Sequence, residues 1–230
     1  MDFAALARNL AFALIPMILS LSVHEYAHAW SATKLGDPTA RDAGRLTLNP
    51  TAHIDPWGTL FIPALSVLMG GIAFIGWARP TPFRSDRFRP GINRRFGAAL
   101  VAAAGPLSNL ILATLSIATI ALLARTHLPL FHEVQDGDRF VPEPFPAVRL
   151  LISMFSLNLA LAFFNLLPIP PLDGHRLLPP VFDPIVRPLS RYGFAILLAV
   201  FFLLPGVANK LFYTPLEQAT EAMERLFGVI

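Results

Sequence analysis

Apolar residues are collected into five long runs along the chain, and polar residues fill the connections between them. Each run is close to or longer than the roughly 20 residues that a helix needs to cross a hydrocarbon core. The pattern therefore predicts an all-α polytopic membrane protein. The runs are Leu10–Ala32, Trp57–Ala78, Phe96–Leu123, Ala147–Leu167 and Tyr192–Phe212.

Two shorter stretches have patterns of their own. Apolar and charged residues follow helical spacing in Thr214–Ile230, which predicts a helix along the membrane surface. Gly44–Pro50 alternates with the period of a strand between breakers, which predicts a short β element. No repeat or long linker divides the chain, so we expect one membrane-embedded domain over residues 1–230.

The composition supports a membrane protein and restricts its chemistry. Hydrophobic residues make up 54% of the 230 residues and charged residues 14%, which is more apolar than an ordinary soluble domain. The net charge of +3 comes from scattered arginines, not from a basic face, so nucleic acid is a poor candidate partner. Cysteine is absent, so a metal ion would have to be held by His, Asp or Glu.

The first apolar run contains the segment HEYAH, from His24 to His28. Histidines four residues apart lie on one face of a helix and can bind one metal ion. Glu25 would lie beside that ion, where a carboxylate can take a proton from metal-bound water and pass it to a leaving amine. A chance match to this metallopeptidase pattern is the alternative. Ionisable groups inside a membrane are costly unless they serve a site, which favours the metal site.

A catalytic zinc ion needs a third protein ligand. The fourth run ends in the prolines of Asn165–Gly174, and Asp173 follows them. We predict Asp173 as this ligand, with helix capping as its alternative role and His175 as the rival ligand. Zinc with neutral imidazoles, Asp173 and Glu25 has no net charge, which suits a low dielectric. Asn165 could donate to an oxyanion or make an interhelical contact instead.

Three segments together resemble the site-2 proteases, zinc metalloproteases that cut the membrane-spanning helices of regulatory proteins. They are HEYAH in an early helix, AGPLSN (residues 104–109) in a middle one and NLLPIPPLDG (residues 165–174) at the end of a later one. The resemblance implies a membrane-anchored protein substrate and one zinc ion per chain. It also implies roles for individual residues: His24, His28 and Asp173 as ligands, Glu25 as catalytic base and Asn165 in the active site.

The chain departs from the family pattern in two ways. No connection is long enough for the peptide-binding or nucleotide-sensing domain that many relatives carry, so a minimal form is expected. His175 stands where a small residue is expected, which leaves open a contact with the ligands or the metal. His53 lies in a polar connection and is expected to be structural.

The metal site also constrains the topology, because the histidines and Asp173 must meet at one depth. Both lie near the C-terminal ends of their helices, so an even number of crossings must separate them. Residues 79–95 hold six arginines and one aspartate, whereas residues 125–146 hold two arginines and four acids. The first connection is therefore expected to be cytoplasmic and the second external.

Trp57–Ala78 then begins and ends on the cytoplasmic side, and we predict a re-entrant hairpin or broken helix there. About four spanning helices remain. The N-terminus is expected outside, with the site opening to the cytoplasm from the cell (inner) membrane.

The predicted function is hydrolysis of peptide bonds in or near transmembrane helices. A substrate helix must unwind before it is cut, and Arg45–Leu48 could pair with the unwound segment as an added strand. The alternative is a membrane metal-ion carrier, since transporters also place His and Asp within the membrane. A structural scaffold with a chance motif would bind no zinc. Glu25 favours the hydrolase, because a carrier has no need of an unligated carboxylate beside its first ligand.

Overall fold

The computed structural model describes residues 3–69, 76–126, 129–136 and 139–228. Most of these residues are helical, and the strands form one antiparallel hairpin. The strands are β1 (Phe131–Asp136) and β2 (Arg139–Pro144). The α-helices are α1 (Phe3–Leu35), α2 (Thr39–Asp42), α3 (Ile62–Leu68), α4 (Arg94–Arg125), α5 (Pro146–Leu166), α6 (Asp183–Ser190), α7 (Gly193–Leu203), α8 (Pro205–Ala208) and α9 (Thr214–Phe227).

Helices α1, α4 and α5 pack together as a three-helix bundle. They are the 3 helices, within the described residues, that are long and apolar enough to cross a membrane. They correspond to the first, third and fourth apolar runs, although α1 begins seven residues before its run, and the predicted membrane-helical class is confirmed. Asn93 starts α4 by accepting hydrogen bonds from the backbone N–H groups of Arg95 and Phe96, at 3.0 and 3.1 Å.

The core of the bundle is built from small and aliphatic side chains. One cluster joins Met17 and Leu21 of α1 to Leu157 and Leu161 of α5. A second joins Ala113 and Ile117 of α4 to Phe155 and Leu159 of α5. Other large apolar side chains of the same helices face outward, as expected where lipid replaces water. Examples are Leu19, Ile111, Leu115 and Leu122.

The second apolar run does not cross the bundle. A π-helical turn, Pro56–Phe61, leads into α3, and the two together rise about 20 Å, less than the roughly 30 Å of a hydrocarbon core. The chain then returns to where it entered: the Trp77 N–H donates to Gly58 O at 3.2 Å, and Thr59 Oγ1 donates to Trp77 O at 2.8 Å. The predicted re-entrant segment is confirmed on residues 56–69 and 76–78, and residues 70–75 lie outside the described part.

The fifth apolar run was predicted to be a spanning helix, and the structure does not contain it as one continuous helix. Helix α7 has 11 residues, or about 16 Å of length, and it ends at Leu203. Leu204 leaves the helical conformation because it precedes Pro205, which also has no N–H to donate. The described residues therefore contain three long apolar helices where about four were expected.

The strand predicted at Gly44–Pro50 is also wrong. This stretch is made of turns and bends, and Asn49 Oδ1 caps the following 3-10 turn by accepting from the Thr51 N–H at 3.2 Å. Arg45 is buried and donates to the carbonyls of Ala52 and Arg79. The alternating pattern therefore reflects local turns around one buried guanidinium. The stretch has no strand edge to offer a substrate.

The β1–β2 hairpin connects α4 to α5, at the end of the bundle where α4 ends and α5 begins. The C-terminal helix was predicted, and it is observed as α9. Its apolar side, which includes Leu216, Ala219 and Met223, packs against the α4–α5 core. Its position at a membrane surface stays a prediction.

Candidate metal centre

Three side chains from distant parts of the sequence converge at one end of the bundle. His24 and His28 lie one turn apart on α1 and are 5% and 7% exposed. Asp173 begins the 3-10 turn Asp173–Leu177, which follows the prolines that end α5. The Asp173 Oδ2 lies 3.2 Å from the Nε2 atom of each imidazole, and the two Nε2 atoms are 3.0 Å apart.

The spacing of these three atoms fits a zinc ion. Ligand atoms at about 2.0–2.1 Å from a tetrahedral zinc ion are separated from one another by about 3.3 Å. The observed separations of 3.0–3.2 Å are close to that value. Within the described residues, these are the three His, Asp or Glu side chains grouped tightly enough to hold a metal ion.

The hydrogen bonds behind the imidazoles turn their Nε2 lone pairs toward the cluster. His28 Nδ1 is 2.7 Å from Val101 O, and a carbonyl oxygen can only accept, so Nδ1 carries the proton. His24 Nδ1 is 2.6 Å from Asn109 Oδ1, which accepts in the same way. Both Nε2 atoms are therefore acceptors, and they face a carboxylate. Three converging acceptors of this kind are stabilised by a cation between them.

Asp173 supplies the negative charge of the cluster. Its Oδ2 faces the Nε2 atoms of both imidazoles, and a cation between these three atoms would favour the ionised carboxylate. With neutral imidazoles, it matches the donor set of a catalytic zinc site with three protein ligands.

Gly105 of α4 lets the bundle close around the imidazoles. A Cβ atom at this position would lie 2.5 Å from His28 Nε2 and 2.6 Å from His24 Cε1. Both distances are well inside van der Waals contact, and α4 cannot retreat without moving Val101 and Asn109. A glycine is therefore required where α4 passes the metal-binding face of α1.

Glu25 lies beside the cluster and is held by the segment that leaves the re-entrant loop. Its Oε2 accepts from the Thr81 backbone N–H at 2.7 Å, and its backbone carbonyl accepts from Thr81 Oγ1 at 3.1 Å. Glu25 is 8% exposed, so its carboxylate is largely shielded from water. Thr81 therefore sets the orientation of the carboxylate that the sequence assigns as the base.

The other predicted site residues lie outside the three-residue cluster. Asn165 donates through Nδ2 to Leu161 O, 3.0 Å away and one turn back in α5. His175, the rival ligand, donates through Nδ1 to Leu172 O at 2.5 Å. The turn at Asp173 has Leu172 as its N-cap and no side-chain cap, so the capping alternative for Asp173 is not observed. His53 is buried and donates through Nε2 to Thr47 O at 2.8 Å, away from the cluster.

The loop that carries Asp173 is tied to α4 through Arg95. Its guanidinium contacts both carboxylate oxygens of Asp183, at 2.9 and 3.0 Å, and donates to Leu178 O at 2.6 Å. On the other side of the loop, the Arg176 guanidinium lies 4.9 Å from the centre of the Phe83 ring. The loop is therefore fastened to two other segments within a few residues of Asp173.

Sequence reasoning gave no role to the supporting residues Asn109, Thr81 and Gly105, although Asn109 and Gly105 lie in the AGPLSN segment. Asn109 offered a signal, because an amide in the middle of an apolar helix is costly unless it is hydrogen-bonded. The sequence signal at Thr81 was weaker. Thr81 lies between Pro80 and Pro82, and a residue before proline is disfavoured in a helix. Nothing in the local sequence says which partner either residue contacts.

The chain is similar to known metalloproteases. Residues 143–206 match peptidase family M50. A Bacillus subtilis protein named "Putative zinc metalloprotease YwhC" is 39% identical over 168 residues, which cover 73% of this chain and 67% of that protein. No solved structure matches the chain.

Two mycobacterial proteins named "Putative zinc metalloprotease Rip2" are also similar. The one from Mycolicibacterium smegmatis is 34% identical over 164 residues, and the one from Mycobacterium tuberculosis is 33% identical over 161 residues. Each match covers 70% of this chain and 53% of the relative, so the chain spans about half the length of the Rip2 proteins.

Proposed function

The chain belongs to peptidase family M50, the site-2 proteases, and we propose that it is a zinc endopeptidase that cuts membrane-anchored proteins within or near their transmembrane helices. The observation that carries the proposal is the convergence of His24, His28 and Asp173 with Glu25 beside them. The family gives the general activity. The substrate class and the residue roles are the proposed part.

We assign one zinc ion per chain to His24 Nε2, His28 Nε2 and Asp173 Oδ2. The support is the donor set described above: two lone pairs and one carboxylate oxygen that face one another at zinc-like spacing. A bound zinc ion would supply an acidified water molecule and polarise the scissile carbonyl. The remaining chemistry belongs to side chains of this protein.

Glu25 is proposed as the general base. Its carboxylate follows His24 directly in α1, and the Thr81 N–H holds one of its oxygens. The proposed role is to accept a proton from the attacking water and to deliver that proton to the departing amine. Both transfers require one carboxylate oxygen near the scissile bond. The hydrogen bond from the Thr81 N–H supports this role, because it restricts the orientation of the Glu25 carboxylate.

Asn165 is proposed as a donor to the developing oxyanion. It lies at the end of α5, close in sequence to Asp173, and its amide now bonds within its own helix. To reach a substrate, its Nδ2 would have to leave the Leu161 carbonyl. Binding of an unwound substrate segment at the end of α5 would provide the new acceptor.

The protein is proposed to lie in the cell (inner) membrane with its N-terminus outside and its site open to the cytoplasm. The arginine-rich connection at residues 79–95 supports this orientation. It adjoins the site through Thr81, so the site and the arginines share one side. A substrate helix would enter from the bilayer and unwind locally before it is cut.

The test compares the parent with Glu25→Gln in proteoliposomes that contain candidate membrane-anchored substrates. We expect cleavage to fall about 10²- to 10⁴-fold, because the base is lost, while bound zinc is retained. A metal-ion carrier that uses the same cluster would keep zinc flux in Glu25→Gln and cleave nothing in either form. Unchanged cleavage in Glu25→Gln would remove Glu25 from the mechanism.

A further inference from the structure

A row of buried amides crosses the bundle behind His24. It begins at α5, where Asn158 Nδ2 donates to Met154 O and to Ser20 Oγ, both at 2.8 Å. Asn158 Oδ1 accepts from Asn109 Nδ2 of α4 at 2.8 Å, and Asn109 Oδ1 faces His24 Nδ1 of α1 at 2.6 Å. Both asparagines are fully buried. The row therefore joins all three long helices to one side of the metal cluster.

The row has a direction, and a backbone carbonyl sets it. Met154 O can only accept, so the Asn158 NH₂ group must lie at that end and its Oδ1 at the other. Asn158 Oδ1 then requires a donor, which places the NH₂ group of Asn109 next to it. The Ser20 carbonyl, 3.5 Å from Asn109 Nδ2, favours the same orientation. Asn109 is left with only its Oδ1 to offer His24.

The orientation of Asn109 matters because an amide side chain has two nearly isosteric ends. With Oδ1 toward His24, the imidazole carries its proton on Nδ1 and keeps the Nε2 lone pair for the cluster. Turned by half a rotation, Asn109 would present NH₂ to Nδ1, and the proton of His24 would move to Nε2. That tautomer cannot bind a metal ion through Nε2.

We propose that Asn158 is a positioning residue for the metal centre. It touches none of the three cluster residues, and it acts by fixing which end of Asn109 faces His24. The inference rests on the zinc site proposed above and deepens it. The alternative is that Asn158 is only an interhelical clamp, that is, a residue whose hydrogen bonds hold the helices together without affecting His24. Buried Asn frequently has this role in membrane helices.

A double-substitution experiment separates the two roles. Replacing Asn109 by aspartate gives His24 a partner with two equivalent acceptor oxygens, which needs no orientation by Asn158. Zinc affinity of purified protein is measured by chelator competition, without substrate, for the parent, Asn158→Leu, Asn109→Asp and the double variant. Asn158→Ala is carried in parallel as a smaller replacement, and thermal unfolding of each metal-free protein reports stability.

We expect Asn158→Leu and Asn158→Ala to weaken zinc binding about 10-fold, the lower end of the range for partners that orient metal ligands. In the Asn109→Asp background, the same substitutions should cause no further loss of zinc affinity, because the aspartate needs no orientation and no longer donates to Asn158 Oδ1. Ser22→Ala is the matched control, because Ser22 is buried two residues from His24 and donates to Ile18 O within its own helix. It should leave zinc affinity unchanged.

An equal loss of zinc affinity in both backgrounds would overturn the inference and support the clamp. Unchanged zinc affinity in Asn158→Leu and Asn158→Ala, with only thermal stability reduced, would overturn it as well. A parent protein that binds no zinc would instead overturn the proposed function. The two failures are therefore distinguishable.

Discussion

At the scale of single residues, the Thr81 backbone N–H is the contact that holds Glu25. A hydrogen bond to a charged group contributes about 1.5–3 kcal/mol, or about 10- to 100-fold in an equilibrium constant. We expect Thr81→Pro, which removes the N–H, to lower kcat about 10-fold with little change in zinc content. The measurement is steady-state cleavage together with zinc analysis of the purified protein.

Thr81→Val is the matched control for that substitution. It removes the Oγ1 donor to the Glu25 carbonyl and keeps the backbone N–H to the carboxylate. We expect its kcat to stay within about 2-fold of the parent, since a neutral bond at a partly exposed site contributes about 1 kcal/mol or less. A valine variant as impaired as the proline variant would show that the N–H does not matter.

The histidines and Asp173 were predictable from sequence, whereas their supporting residues were not. The spacing of His24 and His28 is a property of one helix turn, and the prolines before Asp173 mark the end of a helix. The contact between His24 and Asn109 joins residues 85 positions apart, and it exists only because α4 packs on α1. Packing of this kind leaves no local periodic trace in the chain.

At the scale of elements, the ion pair between Arg95 and Asp183 ties the Asp173 loop to α4. The Arg95 guanidinium holds the pKa of the Asp183 carboxyl below its usual range. A depressed carboxyl pKa contributes stability above the unfolded-state value of about 3.9, and the contribution is lost as the pH falls through the lower folded-state value. The tether should therefore be intact at neutral pH and weaken in acid.

Asp183→Asn removes the carboxylate charge that pairs with Arg95. We expect its Tm in detergent to lie about 1–3 °C below that of the parent between about pH 5 and 7, and the difference to shrink below about pH 4. Asp86→Asn, which removes the local contact between Arg84 and Asp86, should leave Tm unchanged. A difference for Asp183→Asn that persists at low pH would mean that the carboxylate charge is not its cause.

The element predictions succeeded where one physical signal dominated. Long apolar runs predicted α1, α4 and α5 to within a few residues, except that α1 begins seven residues before its run. The fifth run is not one continuous helix because Pro205 interrupts it, and a hydropathy window does not register a single missing N–H. The strand prediction at residues 44–50 failed because the alternation does not follow burial there: Arg45 is buried and Leu48 is exposed.

At the scale of the whole molecule, the metal cluster agrees with the path of the chain through the bundle. Between the C-terminal ends of α1 and α5 the chain makes one re-entrant excursion and then passes along α4 and α5. That is an even number of passes along the bundle, as the meeting of the histidines with Asp173 requires. If each pass crosses the membrane, as proposed above, the β1–β2 hairpin lies on the opposite side from the site.

The absence of cysteine allows a direct test of this topology. Single cysteines at Arg41→Cys, Arg87→Cys and Glu133→Cys are treated with a membrane-impermeant maleimide in intact cells. We expect labelling of Glu133→Cys alone, and labelling of all three after the membrane is opened. Labelling of Arg87→Cys from outside would contradict the proposed orientation, and different sides for Arg41→Cys and Arg87→Cys would contradict the re-entrant segment.

The proposed activity depends on one zinc ion that His24, His28 and Asp173 share. The most direct measurement is zinc K-edge X-ray absorption, with zinc counted per chain, on the parent, Asp173→Asn and His175→Ala. We expect one zinc ion in the parent and in His175→Ala, with two imidazole nitrogens and one carboxylate oxygen at about 2.0–2.2 Å, and a depleted or altered site in Asp173→Asn. An unchanged zinc site in Asp173→Asn, or loss of zinc in His175→Ala alone, would show that Asp173 is not the third ligand.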